Sequence, residues 1–272
     1  DGMHAAHRTL LQRTVCIARE SGLTPAVFTF SDPDFKGKGM LLSPGERFAT
    51  MEEAGIRVVF APEFSSLCHL DAKEFVTDIL QKTCSAAFCV CGYNFAFGKN
   101  AAGHPDLLSS LIPTEIVPPL TLGGQEISSS RIRAALREGD VALADALLGH
   151  PYAVTGKVLR GKAMGRTLGF PTANMSPDCL LPENGVYAVR VVLPDGTYPG
   201  LCDVGVRPTA EKAGQRRAET YIHGFDGELY DKTITVAFLR QIRKERRFAS
   251  LEDLKEQMKK DLLLAKKDWE EK

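Results

Sequence analysis

Residues 165–174 read Gly-Arg-Thr-Leu-Gly-Phe-Pro-Thr-Ala-Asn. Gly165 and Gly169 let the backbone turn tightly and come close to a ligand. Pro171 fixes φ immediately before Thr172. The oxygens of Thr172 and Asn174 are hard ligands of the kind Mg²⁺ accepts beside nucleotide phosphates. By composition alone the stretch fits an ordinary turn between strands equally well, because any loop uses Gly, Pro, Thr and Asn. Its surroundings are β-rich. Residues 154–159, 185–193, 218–223 and 233–239 fit half-buried strands, parted by turns such as Pro194-Asp195-Gly196. That is the pattern of an antiparallel barrel or sandwich. Leu251, Leu254, Met258, Leu262 and Ala265 then recur at helical spacing. A closing amphipathic helix is therefore expected to pack its apolar stripe on the barrel.

Upstream of His150-Pro151 the pattern changes, and a domain boundary is placed there, giving domains at 1–150 and 151–272. Residues 25–30, 57–60 and 86–91 are apolar runs of strand length. They alternate with helical segments at 9–20, 128–138 and 141–148, and with two helix starts that carry capping boxes, Ser43 with Glu46 and Asp71 with Glu74. Strands alternating with helices imply a parallel sheet covered on both faces. A length of 272 residues suits two domains, and 44% hydrophobic with 25% charged residues is the composition of a soluble globular protein. The formal net charge of zero gives no reason to expect a nucleic-acid or membrane partner. No apolar run reaches the roughly 20 residues of a membrane span, and no export signal is visible. The seven cysteines are odd in number and several lie in apolar strand contexts, as in Ala86-Ala87-Phe88-Cys89-Val90-Cys91. Buried, reduced thiols and a cytoplasmic location are expected. Cys89 and Cys91 lack the second pair that a zinc site needs.

Two segments of the first half suit phosphate chemistry. His4 and His7 lie three apart where a helix begins. Unpaired N–H groups and the helix dipole there favour an anion, and paired imidazoles suit an α-phosphate that gains charge in a transition state. Two surface histidines near a terminus would look the same. Ser128, Ser129 and Ser130, followed by Arg131 and Arg133, lie at another helix start. Hydroxyls and N–H groups are donors there, and Arg133, one turn in, can grip pyrophosphate oxygens. A serine-rich N-cap with solvated arginines is the plain alternative. Together the two segments resemble the signature of nucleotidyltransferases that move AMP or CMP from nucleoside triphosphates.

With that pair in place, the whole chain resembles the bifunctional bacterial riboflavin kinase/FAD synthetase family. The matching blocks fall in order at residues 1–7, 91–98, 127–133, 139–140 with 148–152, 165–174, 185–188, 205–209, Glu219 and 225–230. The resemblance implies an α/β chain: a Rossmann-like FMN adenylyltransferase domain, then a six-stranded antiparallel β-barrel riboflavin kinase domain with a C-terminal helix. The first strand of the adenylyltransferase domain is expected to precede Asp1. The kinase would move the ATP γ-phosphoryl to the riboflavin 5′-hydroxyl, and the other domain would join FMN to AMP, releasing pyrophosphate.

By resemblance, Glu219 accepts the hydroxyl proton, and Thr172 and Asn174 hold Mg²⁺. Gly161, Lys162, Gly165, Arg166 and Pro171 serve the ATP site. His4, His7 and Arg133 act in adenylyl transfer, with Asn94, Ser128, Ser129 and Ser130 binding its substrates. ATP, Mg²⁺ and the flavins riboflavin, FMN and FAD are the implied cofactors, substrates and products. A monomer or weak homo-oligomer is expected. Two departures bear on the first half. Ala6 replaces the glycine of the family's His-x-Gly-His, where a methyl would crowd the adenine. Asp32-Pro33-Asp34-Phe35 carries no histidine where the family often has one. A riboflavin kinase with a degenerate nucleotide-binding first domain is the alternative reading.

Overall fold

The computed structural model describes residues 2–32, 37–160, 169–206 and 216–270. Packing divides the chain into two compact units, Asp1–Ser128 and Ser129–Lys272.

In the first unit, α1 (Ala5–Ser21), β1 (Ala26–Phe28), α2 (Pro44–Glu53) and β2 (Val58–Phe60) follow one another, and β1 pairs in parallel with β2, Ala26 opposite Val58. After α3 (Phe64–Leu67), α4 (Ala72–Glu74) runs directly into a π-helical stretch, Phe75–Thr83. β3 (Cys89–Gly92), α5 (Pro105–Leu111) and β4 (Thr114–Val117) complete a second parallel pair, Cys89 opposite Thr114. A short hairpin, β5 (Thr121–Leu122) and β6 (Gln125–Glu126), turns at Gly123-Gly124.

Both expected capping boxes form. The Glu46 amide donates to Ser43 Oγ at 3.3 Å while the Ser43 amide donates to Glu46 Oε2 at 3.0 Å. Glu74 N donates to Asp71 Oδ1 at 2.8 Å, and Asp71 N to Glu74 Oε2 at 3.0 Å. Each exchange satisfies two amides that a helix start leaves without partners. The strands are shorter than the apolar runs that suggested them. β4 escapes a sequence reading because Pro113 on one side and Pro118-Pro119 on the other reduce it to four residues.

In the second unit, α6 (Ser129–Arg137) and α7 (Val141–Leu148) lead into β7 (Ala153–Lys157), β8 (Thr172–Met175), β9 (Gly185–Leu193), β10 (Gly196–Val206), β11 (Arg216–Ile222) and β12 (Thr233–Lys244). The six strands form one antiparallel sheet in the order β7-β12-β9-β10-β11-β8. Its edge strands approach each other at a bridge, where Leu159 N donates to Asn174 O at 2.7 Å. Tyr187, Phe238, Val189, Val204, Ala218 and Val236 are fully buried. α8 (Leu251–Glu270) covers Val186, Ala188, Leu201 and Leu239 with Leu262, Ala265 and Trp269, as its stripe suggests. The buried Asp261 of α8 accepts from Arg243 Nε at 2.9 Å and from Gln257 Nε2 at 2.7 Å, so its charge is compensated.

β8 and β10 were not anticipated. β8 lies inside the decapeptide read as a ligand loop, and β10 contains Gly196, Pro199, Gly200 and Gly205, which argue against a strand. Gly200 earns its place by close approach, since a Cβ there would lie 2.6 Å from the Tyr221 carbonyl oxygen. All seven cysteines are free. Cys91, Cys179 and Cys202 are buried as expected, whereas Cys68 is exposed. Burial pushes the Cys202 thiol up to about 12.

The packing break falls before α6, earlier than the compositional change at His150-Pro151. α7 buries Val141, Ala144, Leu147 and Leu148 and packs on β12. Each large buried side chain contributes about 1.5–3 kcal/mol. A fragment of residues 129–272 should therefore melt in one transition at a Tm at least about 5 °C above that of a fragment of residues 151–272. Equal melting temperatures by circular dichroism would show that α6 and α7 do not support the barrel.

Candidate active sites

The pairing of β8 with β11 sets Asn174 opposite Glu219 and Thr172 opposite Tyr221. β10 continues the row, with Asp203 opposite Glu219. Directly opposed residues of an antiparallel pair share a face, with Cβ atoms about 4.5–5.5 Å apart. Asp203, Glu219 and Asn174 therefore stand in one line across three strands, flanked by Thr172 and Tyr221. The intervening residues Ala173, Met175, Ala218, Thr220 and Ile222 are buried on the other face. Asn174 is itself 8% exposed. Its Nδ2 donates to the Thr172 carbonyl at 3.4 Å, which leaves Oδ1 as the end facing away from that contact. Phe170, just ahead of β8, packs edge-on against Tyr221 with ring centroids 5.3 Å apart.

The donor set of Thr172 hydroxyl, Asn174 amide oxygen and neighbouring carboxylates fits a hard cation such as Mg²⁺, which takes few protein ligands and keeps phosphate oxygens and water. Pro171 is exposed and leads directly into β8. Gly161, Lys162, Gly165 and Arg166 lie outside the described residues, as do Pro33, Asp34, Phe35 and the end of the 205–209 block. Asp203, Tyr221 and Phe170 were missed as candidates. The strand register reveals Asp203 and Tyr221, the ring contact with Tyr221 reveals Phe170, and β10 is not recognisable as a strand from its residues.

In the first unit, His4 caps α1 and its ring stacks on that of His7, with centroids 3.8 Å apart and planes inclined by 29°. His4 is 6% exposed, and among the described residues its Nδ1 meets no hydrogen-bond partner. Burial pushes the His4 imidazole down to about 4, against a smaller opposite effect of its own backbone. It is therefore neutral at physiological pH. Met3, immediately before it, is buried with φ +41°, a left-handed value uncommon outside glycine. Arg8 Nε donates to the Met3 carbonyl at 3.3 Å. Ala6 sits half-buried in the first turn of α1.

Asn94 donates through Nδ2 to Glu126 Oε1 at 3.3 Å, and the Tyr93 hydroxyl donates to Glu126 Oε2 at 2.5 Å. Glu126 thus ties the 91–98 segment to the hairpin just ahead of Ser128, and its hydrogen bond pushes the Tyr93 hydroxyl up. Ser129, Ser130 and Arg133 lie on α6, in the second unit. Ser130 is exposed and Ser129 half-buried, but Arg133 is only 6% exposed. Burial lowers its guanidinium below the usual arginine value. It is not the solvated arginine of an ordinary helix start.

One unit holds stacked imidazoles at a helix start, and the other a row of carboxylates and an amide across three strands, residue types that suit chemistry on phosphates. The riboflavin kinase family model matches residues 148–269, and the FAD synthetase model matches residues 1–131. The bifunctional riboflavin kinase/FMN adenylyltransferase of Bacillus subtilis is 34% identical over 277 residues, covering 96% of this chain and 87% of its own. That of Escherichia coli K12 is 36% identical over 281 residues, covering 98% and 89%. The chain belongs to this bifunctional family. Among solved structures, one described as a macrolide-efflux protein from Streptococcus pneumoniae superimposes with a TM-score of 0.88 at 31% identity, covering 98% of this chain and 91% of that one.

The burial of His4 has a measurable consequence. Its folded-state value of about 4 lies below the ordinary 6.5, so the unfolded chain takes up a proton first as pH falls. Stability is then lost between about pH 6.5 and 4, at up to about 1.4 kcal/mol per pH unit. His4→Asn should lose about 1.5 kcal/mol less than the parent between about pH 6.5 and 5, read from urea unfolding at each pH. Parallel losses in the two proteins would show that His4 is not the buried neutral group described.

Proposed function

We propose that this chain makes FMN from riboflavin and Mg-ATP on its barrel and then joins FMN to AMP from a second ATP, releasing pyrophosphate. The observation that carries the kinase half is the register that sets Glu219 opposite Asn174. Glu219 would take the proton of the riboflavin 5′-hydroxyl as that oxygen attacks the γ-phosphorus. The bond from the γ-phosphorus to the bridging oxygen breaks, and ADP leaves. Thr172 and Asn174 would hold Mg²⁺. The ion, when bound, supplies neutralisation of phosphate charge. The protein's share is mainly positioning, which strands held in register do well.

The adenylyl transfer is assigned to His4, His7, Asn94, Ser128, Ser129, Ser130 and Arg133. A phosphate oxygen of FMN attacks the α-phosphorus of ATP, and pyrophosphate departs. Imidazole N–H groups would donate to the α-phosphate, where charge develops. An incoming phosphate anion would raise the tendency of His4 to hold a proton. Arg133 would hold the leaving pyrophosphate. Relatives named for both activities, similar over nearly the full length, favour this reading over a kinase with a degenerate first domain. Among the described residues no helix is long and apolar enough to cross a membrane. A cytoplasmic enzyme, monomeric or weakly self-associating and without a nucleic-acid partner, suits the balanced charge and free thiols.

Incubation with riboflavin and Mg-ATP should yield FMN and then FAD by chromatography, whereas FMN alone would support the kinase-only alternative. Glu219→Gln keeps the side chain's shape and removes the base. Its kinase kcat should fall by roughly 10²–10⁴ with riboflavin binding preserved. A near-normal kcat would remove Glu219 from the mechanism.

A further inference from the structure

The side-chain amide of Gln241, on β12, lies between two glycines from different elements. A Cβ on Gly139 would come 2.9 Å from both Nε2 and Oε1 of Gln241, and a Cβ on Gly185 would come 2.8 Å from Nε2. Gly139 lies in the turn between α6 and α7, with φ +78°. Any side chain there would displace the amide. Gln241 Nε2 donates to the Tyr187 hydroxyl at 3.0 Å, and that hydroxyl donates to the Glu183 carbonyl at 2.6 Å. The Glu183 amide in turn donates to the Leu136 carbonyl of α6 at 2.7 Å. Burial pushes the Tyr187 hydroxyl up, so it stays protonated as a donor. Lys244 donates to the Glu183 carboxylate at 3.0 Å from the barrel side.

α6 is thus fixed at its C-terminal end by a chain of hydrogen bonds that begins on the barrel. Its N-terminal end carries Ser129 and Ser130, and Arg133 sits at its midpoint, one turn before the anchored Leu136. We propose that Gln241 is a positioning residue for adenylyl transfer: wedged between Gly139 and Gly185, it sets where α6 presents Arg133, although Gln241 itself belongs to the kinase barrel. This rests on the reading of Arg133 as a group acting in FAD formation. Arg133 is one turn from the anchored carbonyl, so a shift of that anchor moves it directly, and a misplacement of about 1 Å in a catalytic group costs up to roughly 10²-fold. β12 also pairs with β9 and β7, so general loosening of the barrel would reach the kinase as well.

That difference supplies the test. In full-length Gln241→Leu, the kcat for FAD from supplied FMN is divided by the kcat for FMN from riboflavin in the same sample. Unfolded protein lowers both rates equally and leaves the ratio untouched. The ratio should fall at least about tenfold, with KM for FMN and ATP within about twofold of the parent, because a displaced Arg133 is felt mainly in the transition state. Gln241→Glu, which keeps the shape and one acceptor, should fall less. An unchanged ratio overturns the proposal, whether both rates are normal or both drop together. Arg133→Ala, measured alongside, separates the two layers. If it lowers the ratio while Gln241→Leu does not, the positioning role alone is wrong. If Arg133→Ala leaves the ratio unchanged, the assignment of α6 fails and the role of Gln241 falls with it.

Discussion

The pairing of β8 with β11 is the constraint on which the kinase site depends. Side chains of a strand alternate between faces, so a slip of one residue would turn Asn174 and Thr172 away from Glu219. The opposite face prevents the slip. Ala173 and Met175 are buried with Ala218, Thr220 and Ile222, and shifting the register would expose that apolar set and bury the polar one. Two further contacts hold the strand, the Leu159 amide on the Asn174 carbonyl and the Phe170 ring on Tyr221. Core packing therefore positions the row of Asp203, Glu219 and Asn174.

The first unit prepares for phosphate by different means. It stacks two imidazoles at the start of α1 and keeps His4 buried and neutral. Arg133, on α6, is likewise desolvated. In both, burial disfavours the charged form. In the barrel the assigned groups are instead hard oxygen donors on strands, which would suit metal-bound phosphates. The two reactions act on different phosphorus atoms of ATP, and the groups assigned to each differ accordingly.

Much of this was legible in the residues. The capping boxes at Ser43 and Asp71 form as their spacing implies, α7 begins after Asp140 and ends before Gly149, and β9 spans the run read from the sequence. The candidates Thr172, Asn174 and Glu219 come together, although nearly 45 residues separate the two segments along the chain. What the sequence hid has physical causes. β10 is masked by Gly200 and Pro199, yet Gly200 is there because a neighbouring strand approaches too closely for any side chain. Asp203 could not be ranked without the register that sets it beside Glu219. The attachment of α6 to the barrel rests on hydrogen bonds from Glu183 and on contacts of Gln241, residues far from Ser129 in sequence, and no local pattern signals them.

The claim that two separate sites share one chain is tested most directly by Asn174→Ala. Asn174 lies in the barrel row, away from every residue assigned to adenylyl transfer in sequence and in role. FMN formation from riboflavin should fall by at least about 10²-fold, as for loss of a group that positions metal and phosphate. Conversion of supplied FMN to FAD by the same preparation should stay within about twofold of the parent. Loss of both activities in a protein that melts like the parent would contradict separate sites, as would FMN formation at the parent's rate.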